Sequence, residues 1–299
     1  MTHDHHHHGL ASAFGGDRRL IIAISVNVLL TVAQIIGGVF AGSLALIADA
    51  IHNLSDAAAL GIALIARRIA RVPADEDHTF GHGRAELIGA VFNLSWLVFI
   101  GLFLIVEAIK RLIDPQPVEG WTVVIVAGIA LIVDVWTVLL TYRMAKDSMN
   151  IRAAFIHNMS DALASLGVIV GGVLILTFGW HFIDAIVTLA IAGYILAHAG
   201  MEIPKAIHIL MQGVPRDLDV AEVTADLKNV AGVIEIGHVH IWHIDEHRRS
   251  FEAHILIDGP DEMEPVKLAL RQRLEDEFNI THSTLEFAFD ASDPQLTEG

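Results

Sequence analysis

Residues 44–66 read LALIADAIHNLSDAAALGIALIA. A helix needs about 20 apolar residues to cross the hydrocarbon core of a bilayer, and this run is long enough. It nevertheless holds Asp49, His52 and Asp56. An ionisable side chain at membrane depth costs at least ~2.5 kcal/mol on insertion scales and marks a function by default. The centre of the run also recurs. Residues 51–57 are Ile-His-Asn-Leu-Ser-Asp-Ala and residues 156–162 are Ile-His-Asn-Met-Ser-Asp-Ala, so His52 and Asp56 return as His157 and Asp161 at an offset of 105.

Five further apolar runs surround it: Leu20–Phe40, Leu87–Val106, Trp121–Tyr142, Ala153–Phe178 and Phe182–Met201. With 54% hydrophobic residues and a mean hydropathy of +0.55, the chain exceeds the ~45–50% of soluble proteins. Together these predict an all-α, six-helix transmembrane bundle in a lipid bilayer. The first run follows Arg18 and Arg19 and lacks a small-residue cleavage site, so it reads as a retained helix. Lys and Arg near the run ends number nine on one side and two on the other, which places both termini in the cytoplasm. A bacterial inner membrane suits this length.

The net charge is −16, and residues 213–299 supply −12 of it, with 19 acidic and 7 basic residues. Such acidity excludes a nucleic-acid partner, which needs a basic surface. The absence of cysteine excludes disulfides and thiolate metal sites, while 18 histidines point to cations. In the acidic tail, Val220–Val230 has helical spacing, Val233–Ile244 and Ser250–Asp258 alternate as strands, Glu264–Phe278 is an amphipathic helix and Ser283–Phe289 alternates again. This order predicts a C-terminal α+β ferredoxin-like cytoplasmic domain. The expected division is a His-rich cytoplasmic tail (1–17), a transmembrane domain (18–208) and a cytoplasmic metal-sensing domain (209–299). The run His3-Asp-His5-His-His-His8 reads equally as an expression tag and as a native metal-gathering tail.

Residues i and i+4 of a helix lie on one face. Each repeat therefore presents an imidazole beside a carboxylate, and two packed helices offer a complete tetrahedral nitrogen/oxygen shell for a zinc-like ion: His52, Asp56, His157 and Asp161. The plainer alternative places four ionisable groups in lipid to make two hydrogen bonds. Asp49 shares the face of His52 and Asp56 but has Ala154 at its counterpart position. A proton-accepting role and a packing role remain open for it, and Asp134 reads equally as a proton relay and as structure. Asp184 and the pair His198/Glu202 lie near run ends, where exposure to water is cheap, and read as structural. Metal must displace protons from imidazole, so the two compete near neutral pH. An intramembrane metal-dependent hydrolase needs an open coordination position and a general base, and no His-Glu-x-x-His occurs. A metal receptor acting only through its tail has no use for the tetrad, and a channel is disfavoured because a closed shell binds too tightly for fast passage.

The run Ser43-Leu-Ala-Leu-Ile-Ala-Asp-Ala-Ile-His52-Asn-Leu-Ser-Asp56, the loop His78-Thr-Phe-Gly-His82-Gly-Arg84-Ala-Glu86 and the second His157-x-x-x-Asp161 resemble the cation diffusion facilitator family over about residues 18–290. The resemblance implies a homodimeric antiporter exporting zinc, sometimes cadmium or cobalt, in exchange for protons, with Zn2+ as transported and regulatory ion. Two His-x-x-x-Asp pairs match the zinc-type subgroup. The manganese type carries acids at the His positions, and another divalent metal such as Fe or Mn is the alternative cargo. The family's accessory loop site falls on Asp75, His78 and His82, which on spacing alone read equally as a solvated loop turned by Gly81 and Gly83. Its tail site, at the dimer contact, most nearly matches His240, His254 and Glu286. His238, His243, His247 and His282 are also at hand, and the pattern departs at Gly237. His238 and His240 alternate on a strand and so share a face.

Overall fold

The computed structural model describes the backbone of residues 17–142 and 149–290, and the side chains of residues 28–59, 61–139, 155 and 158–290. The N-terminal histidines, the side chain of His157 and those of Arg143, Lys146 and Arg152 lie outside the described residues. Among the described residues, six long helices come first: α1 (Asp17–Ala41), α2 (Leu44–Ala70), α3 (Ala85–Ile113), α4 (Gly120–Tyr142), α5 (Met149–Phe178) and α6 (Phe182–Leu210). Several outrun their apolar sequence. Helices α2 and α3 continue into polar turns whose last-turn Arg67, Arg68, Lys110 and Arg111 complement the negative end of the helix dipole. Helix α6 continues past Pro204. The stretches Ala85–Ile113, Gly120–Leu139, Asn158–Phe178 and Phe182–Leu210 are long and apolar enough to cross a membrane. In α1, Val28–Ala41 is apolar but shorter, and α2 is interrupted by the polar groups that drew notice in its sequence.

Two compact units make up the chain, one from residues 1–61 and 93–200 and the other from 62–92 and 201–299. In the first, the packed interior is rich in small residues. Ala45, Ala48, Ala108, Ala127, Ala185 and Ala192 are buried with Leu46, Leu104 and Ile195. Small residues let helices approach closely where lipid leaves no hydrophobic drive between them. Large side chains such as Leu29, Phe40, Phe99 and Trp136 face outward, as a hydrocarbon solvent permits.

The start of α2 is fixed by Asp184 of α6. Its carboxylate accepts from the Ser43 hydroxyl at 2.5 Å and from the Leu44 amide at 2.7 Å, with the Ala45 amide at 3.4 Å and the Arg111 guanidinium at 3.6 Å. An anion here serves amides that the first turn of a helix leaves without intrahelical partners, and it meets the positive end of the dipole. The sequence reading of Asp184 as structural fits this contact, but its basis in exposure to water does not: Asp184 is 3% exposed.

In the second unit, residues 220–288 form α7 (Val220–Leu227), β1 (Val233–His243), β2 (Arg249–Ile257), a 3-10 turn (Pro260–Glu262), α8 (Met263–Phe278) and β3 (His282–Ala288). Asp219 caps α7 by accepting from the Ala221 and Glu222 amides. Strand β1 pairs antiparallel with β2, and β3 lies parallel on the other edge of β2 after the crossover through α8. The predicted α+β order is thus observed. Its core joins Val223 and Leu227 of α7, Phe251, Ile255 and Ile257 of β2, and Val266, Leu270 and Leu274 of α8.

Candidate metal-transport site

Helices α2 and α5 bring His52, Asp56 and Asp161 together, with one ligand atom from each lying within 4.8 Å of the others. The Nε2 atom of His52 stands 3.5 Å from Asp161 Oδ1 and 3.9 Å from Asp56 Oδ2. Two ligand atoms of a tetrahedral ion with bonds of about 2.0–2.1 Å sit about 3.3–3.4 Å apart. The His52–Asp161 separation fits such an edge, and His52–Asp56 is slightly wide of it. His52 is buried and both carboxylates are half-buried. Tyr194 of α6 meets the His52 ring edge-on at 5.9 Å. The fourth expected ligand, His157, lies one turn before Asp161 on α5.

Asp49 is not among the three. Its Oδ2 accepts from Gln34 Nε2 at 2.7 Å and lies 3.4 Å from Ser165 Oγ, which donates at 2.8 Å to Asp134 Oδ2. Asn53 donates to Gln34 Oε1 at 3.3 Å. The recurrent Asn53 thus supports the neighbouring polar chain, and Ser55 bonds back to the Ile51 carbonyl. Gln34, Ser165 and Tyr194 drew no notice in the sequence, because neutral polar residues in apolar runs carry no spacing signal.

In the second unit, Asp75, His78 and His82 also meet. Asp75 Oδ1 lies 3.4 Å from His78 Nδ1, and the two imidazole rings are 4.3 Å apart. The turn is built locally. Asp75 accepts from the amides of Asp77 and His78 at 3.0 and 2.6 Å. Gly81, at φ +77°, closes onto the His78 carbonyl, a conformation that an L side chain adopts with strain. The His78 amide is the chief cause that holds the Asp75 carboxyl below the usual carboxylate range.

Three histidines cluster on the tail sheet. His238 Nε2 is 3.2 Å from His240 Nε2, the His238 ring is 4.9 Å from that of His254, and His254 Nε2 is 3.7 Å from Glu286 Oε2. His254 and Glu286 are register partners of the parallel pair β2–β3. Of the expected set, His254 and Glu286 meet directly and His240 joins through His238. Regular alternation is not what aligns His238 and His240. The register shifts between Gly237 and His240, and His238 has φ +47°, as a bulge re-aims a side chain.

The loop and the β1–β2 turn interlock within this unit. Arg84 Nε donates to the Ile244 carbonyl at 2.9 Å, and Arg248 reaches the Phe80 carbonyl at 2.9 Å. A Cβ added to Gly83 would overlap the Asp245 carboxyl. Burial opposes ionisation of Asp245, but the His247 amide and the Arg248 side chain and amide outweigh it and hold the carboxyl low. Gly83→Ala is therefore expected to destabilise the full-length protein by about 1–3 kcal/mol through overpacking, read as a lower melting temperature with unchanged zinc affinity at the transport site.

His243 is held below the ordinary imidazole value, first by burial and next by Arg249. A depressed imidazole stabilises the fold fully above its unfolded value near 6.5, and that contribution is lost as pH falls through 6.5 toward the folded value. Hydrogen-exchange protection of β1 and β2 in the full-length protein, corrected for intrinsic exchange, should decline below about pH 6.5. His243→Gln should flatten part of that decline.

Residues 20–211 match the cation efflux transmembrane domain, and residues 215–287 match the cation efflux protein cytoplasmic domain. The chain belongs to the cation efflux family, the cation diffusion facilitators, and is a multi-pass integral membrane transporter and not an enzyme. It is 35% identical over 287 residues to the metal cation efflux system protein CzcD of Cupriavidus metallidurans, covering 95% of this chain and 89% of the relative. It is 34% identical over 297 residues to the zinc transporter ZitB of Pectobacterium atrosepticum, covering 98% and 91%. It is 33% identical over 295 residues to the cadmium, cobalt and zinc/H(+)-K(+) antiporter of Bacillus velezensis, covering 96% and 91%. A solved structure of the metal-bound C-terminal domain of the C. metallidurans CzcD transporter matches 24% of this chain and 99% of its own at 36% identity, with a TM-score of 0.22.

Proposed function

We propose that the chain exports zinc, with cadmium and cobalt as further cargo, by exchanging each ion for protons through alternating access. The observation that carries this reading is the meeting of His52, Asp56 and Asp161 from two helices at tetrahedral spacing. In this reading His157, one turn before Asp161 in the sequence of α5, is the fourth ligand. Imidazole nitrogen with carboxylate oxygen suits zinc better than the all-oxygen sets that hard cations prefer. Relatives named as zinc transporters and as a cadmium, cobalt and zinc antiporter support the cargo and the proton coupling. Iron or manganese is the alternative cargo, and the imidazole nitrogens disfavour manganese.

Both termini lie in the cytoplasm in this reading, with residues 1–17 as a His-rich tail, 18–208 as the membrane domain and 209–299 as the metal-sensing domain. The working form is a homodimer. Asp75, His78 and His82 gather metal at the cytoplasmic mouth, and His240, His254 and Glu286, with His238, bind regulatory Zn2+ in the tail. Bound cations neutralise acidic tails so that two can approach.

The test is metal uptake into proteoliposomes with an acidic interior. Zinc and cadmium are expected to accumulate and to collapse the gradient, with iron and manganese far behind. Uptake indifferent to the pH gradient, or favouring manganese, would overturn the reading.

A further inference from the structure

Beyond the metal ligands and the Asp184 anchor of α2, the first unit buries two more carboxylates in its helices. Asp49 is 1% exposed and Asp134 is 9% exposed, with Ser165 and Gln34 at 0% and Asn53 at 6%. Four helices converge on this chain of groups: Gln34 from α1, Asp49 and Asn53 from α2, Asp134 from α4 and Ser165 from α5. Intramembrane carboxylates pair or carry function because their desolvation is costly. The titratable groups around them are His52 on α2 and Asp161 on α5, while α1 contributes the neutral Gln34. Among the described residues no Lys or Arg contact to either carboxylate is present.

Hydrogen-bond accounting gives the arrangement its meaning. Ser165 has one hydroxyl proton and two carboxylate neighbours, Asp134 Oδ2 at 2.8 Å and Asp49 Oδ2 at 3.4 Å. It can donate to only one of them. With the proton on the shorter bond to Asp134, an Oγ lone pair is left to face Asp49 across 3.4 Å, and a proton on Asp49 would fill it. In that protonation state the three groups would line up as a directional wire, Asp49 O–H to Ser165 O–H to Asp134. One transfer moves the Asp49 proton onto Ser165 Oγ while the Ser165 proton passes to Asp134 Oδ2. Asp49 becomes a carboxylate, Asp134 an acid, and the serine hydroxyl is restored. Asp49 lies three residues before His52, and Ser165 lies one turn beyond Asp161, so both arms of the wire start beside the ligand-bearing turns.

We propose that Asp49, Ser165 and Asp134 form a proton relay, distinct from the metal ligands, that carries protons to and from the transport site during exchange. This rests on the antiport reading above. It also explains why neither acid joins the metal cluster although both are buried near it. Gln34 and Asn53 act as positioning residues: the Gln34 amide fixes the Asp49 carboxyl on the wire, and Asn53 fixes Gln34.

The test uses the full-length protein in proteoliposomes. A positioned proton-transfer group contributes typically about 10²–10⁴-fold in rate, and leakage through water softens its loss, so Ser165→Ala is expected to slow proton-driven zinc exchange by about ten-fold or more. Calorimetric zinc affinity should stay near wild type, and Ser165→Thr, which keeps the hydroxyl, should recover the rate. Asp134→Asn should shift the pH profile of exchange. It should also remove a buried carboxylic-acid carbonyl band from infrared spectra that titrate in the wild type. Ser165→Ala exchanging at the wild-type rate with an unchanged pH profile would overturn the relay, as would Ser165→Ala losing zinc affinity in step with rate, which marks a structural role. Wild-type zinc flux that ignores the pH gradient overturns the antiport reading itself, so the two failures are distinguishable.

Discussion

Asp161→Ala is expected to lower zinc affinity and proton-driven flux together by more than about 100-fold, since even partners outside the coordination shell commonly cost about 10–100-fold in metal affinity. Asp161 Oδ1 is the group nearest to His52 Nε2 in the cluster, at 3.5 Å. In the zinc-export reading, its removal leaves water or His157 to serve the ion on the α5 side. The sign of the stability change separates this role from a structural one. A carboxylate 13% exposed on its side chain, in a helix that crosses lipid, is costly to desolvate. Its loss should leave the melting temperature of the metal-free protein unchanged or raised, a trade of stability for function. Asp161→Ala that melts far lower with zinc affinity intact would reverse the assignment.

The second large effect falls on stability. Asp184→Ala is expected to destabilise the protein by about 3–5 kcal/mol, the usual loss when one partner of a buried charged contact is deleted. The carboxylate serves the Ser43 hydroxyl and the Leu44 and Ala45 amides, and it faces Arg111 at 3.6 Å. Without it, the first amides of α2 lose their acceptor, and Arg111 keeps Glu107 at 4.0 Å and the Gly42 carbonyl at 2.5 Å. Asp184→Asn keeps the volume but turns an amide donor toward donors, so it should fall between. Saturating zinc should restore part of the melting temperature, because an ion that binds only the folded form stabilises it by mass action. A variant that melts with the wild type would show that Asp184 is not the anchor.

Much of the architecture was legible because strong patterns encode it. Apolar runs marked the long helices, and alternation in the sequence marked β1, β2 and β3 to within a residue or two, although β2 itself is buried along nearly all of Ser250–Ile257. The repeat at His52 and His157 was legible because two ionisable groups recur at i and i+4 within apolar runs, and the structure brings His52, Asp56 and Asp161 together. What the sequence concealed depends on contacts between distant residues. Asp184 lies 140 residues from Leu44, and nothing near Asp184 signals an anion at another helix's start. Ser165 and Gln34 look like ordinary polar residues tolerated in a span until their partners are seen. The shift at Gly237–His240 is a backbone event that strict alternation cannot express, and it brings His238 into the tail cluster.

Because Asp184 holds Ser43, Leu44 and Ala45, helix α2 is tethered at one end like a lever on a fulcrum. At 1.5 Å per residue, His52 sits about 13 Å along the arm from Ser43. A swing of about 10° there displaces the imidazole by about 2 Å, ten times the ~0.2 Å tolerance of a zinc–ligand bond. In the zinc-export reading, a small angular movement at the tether would suffice to open the shell around the ion, with no unwinding of the helix.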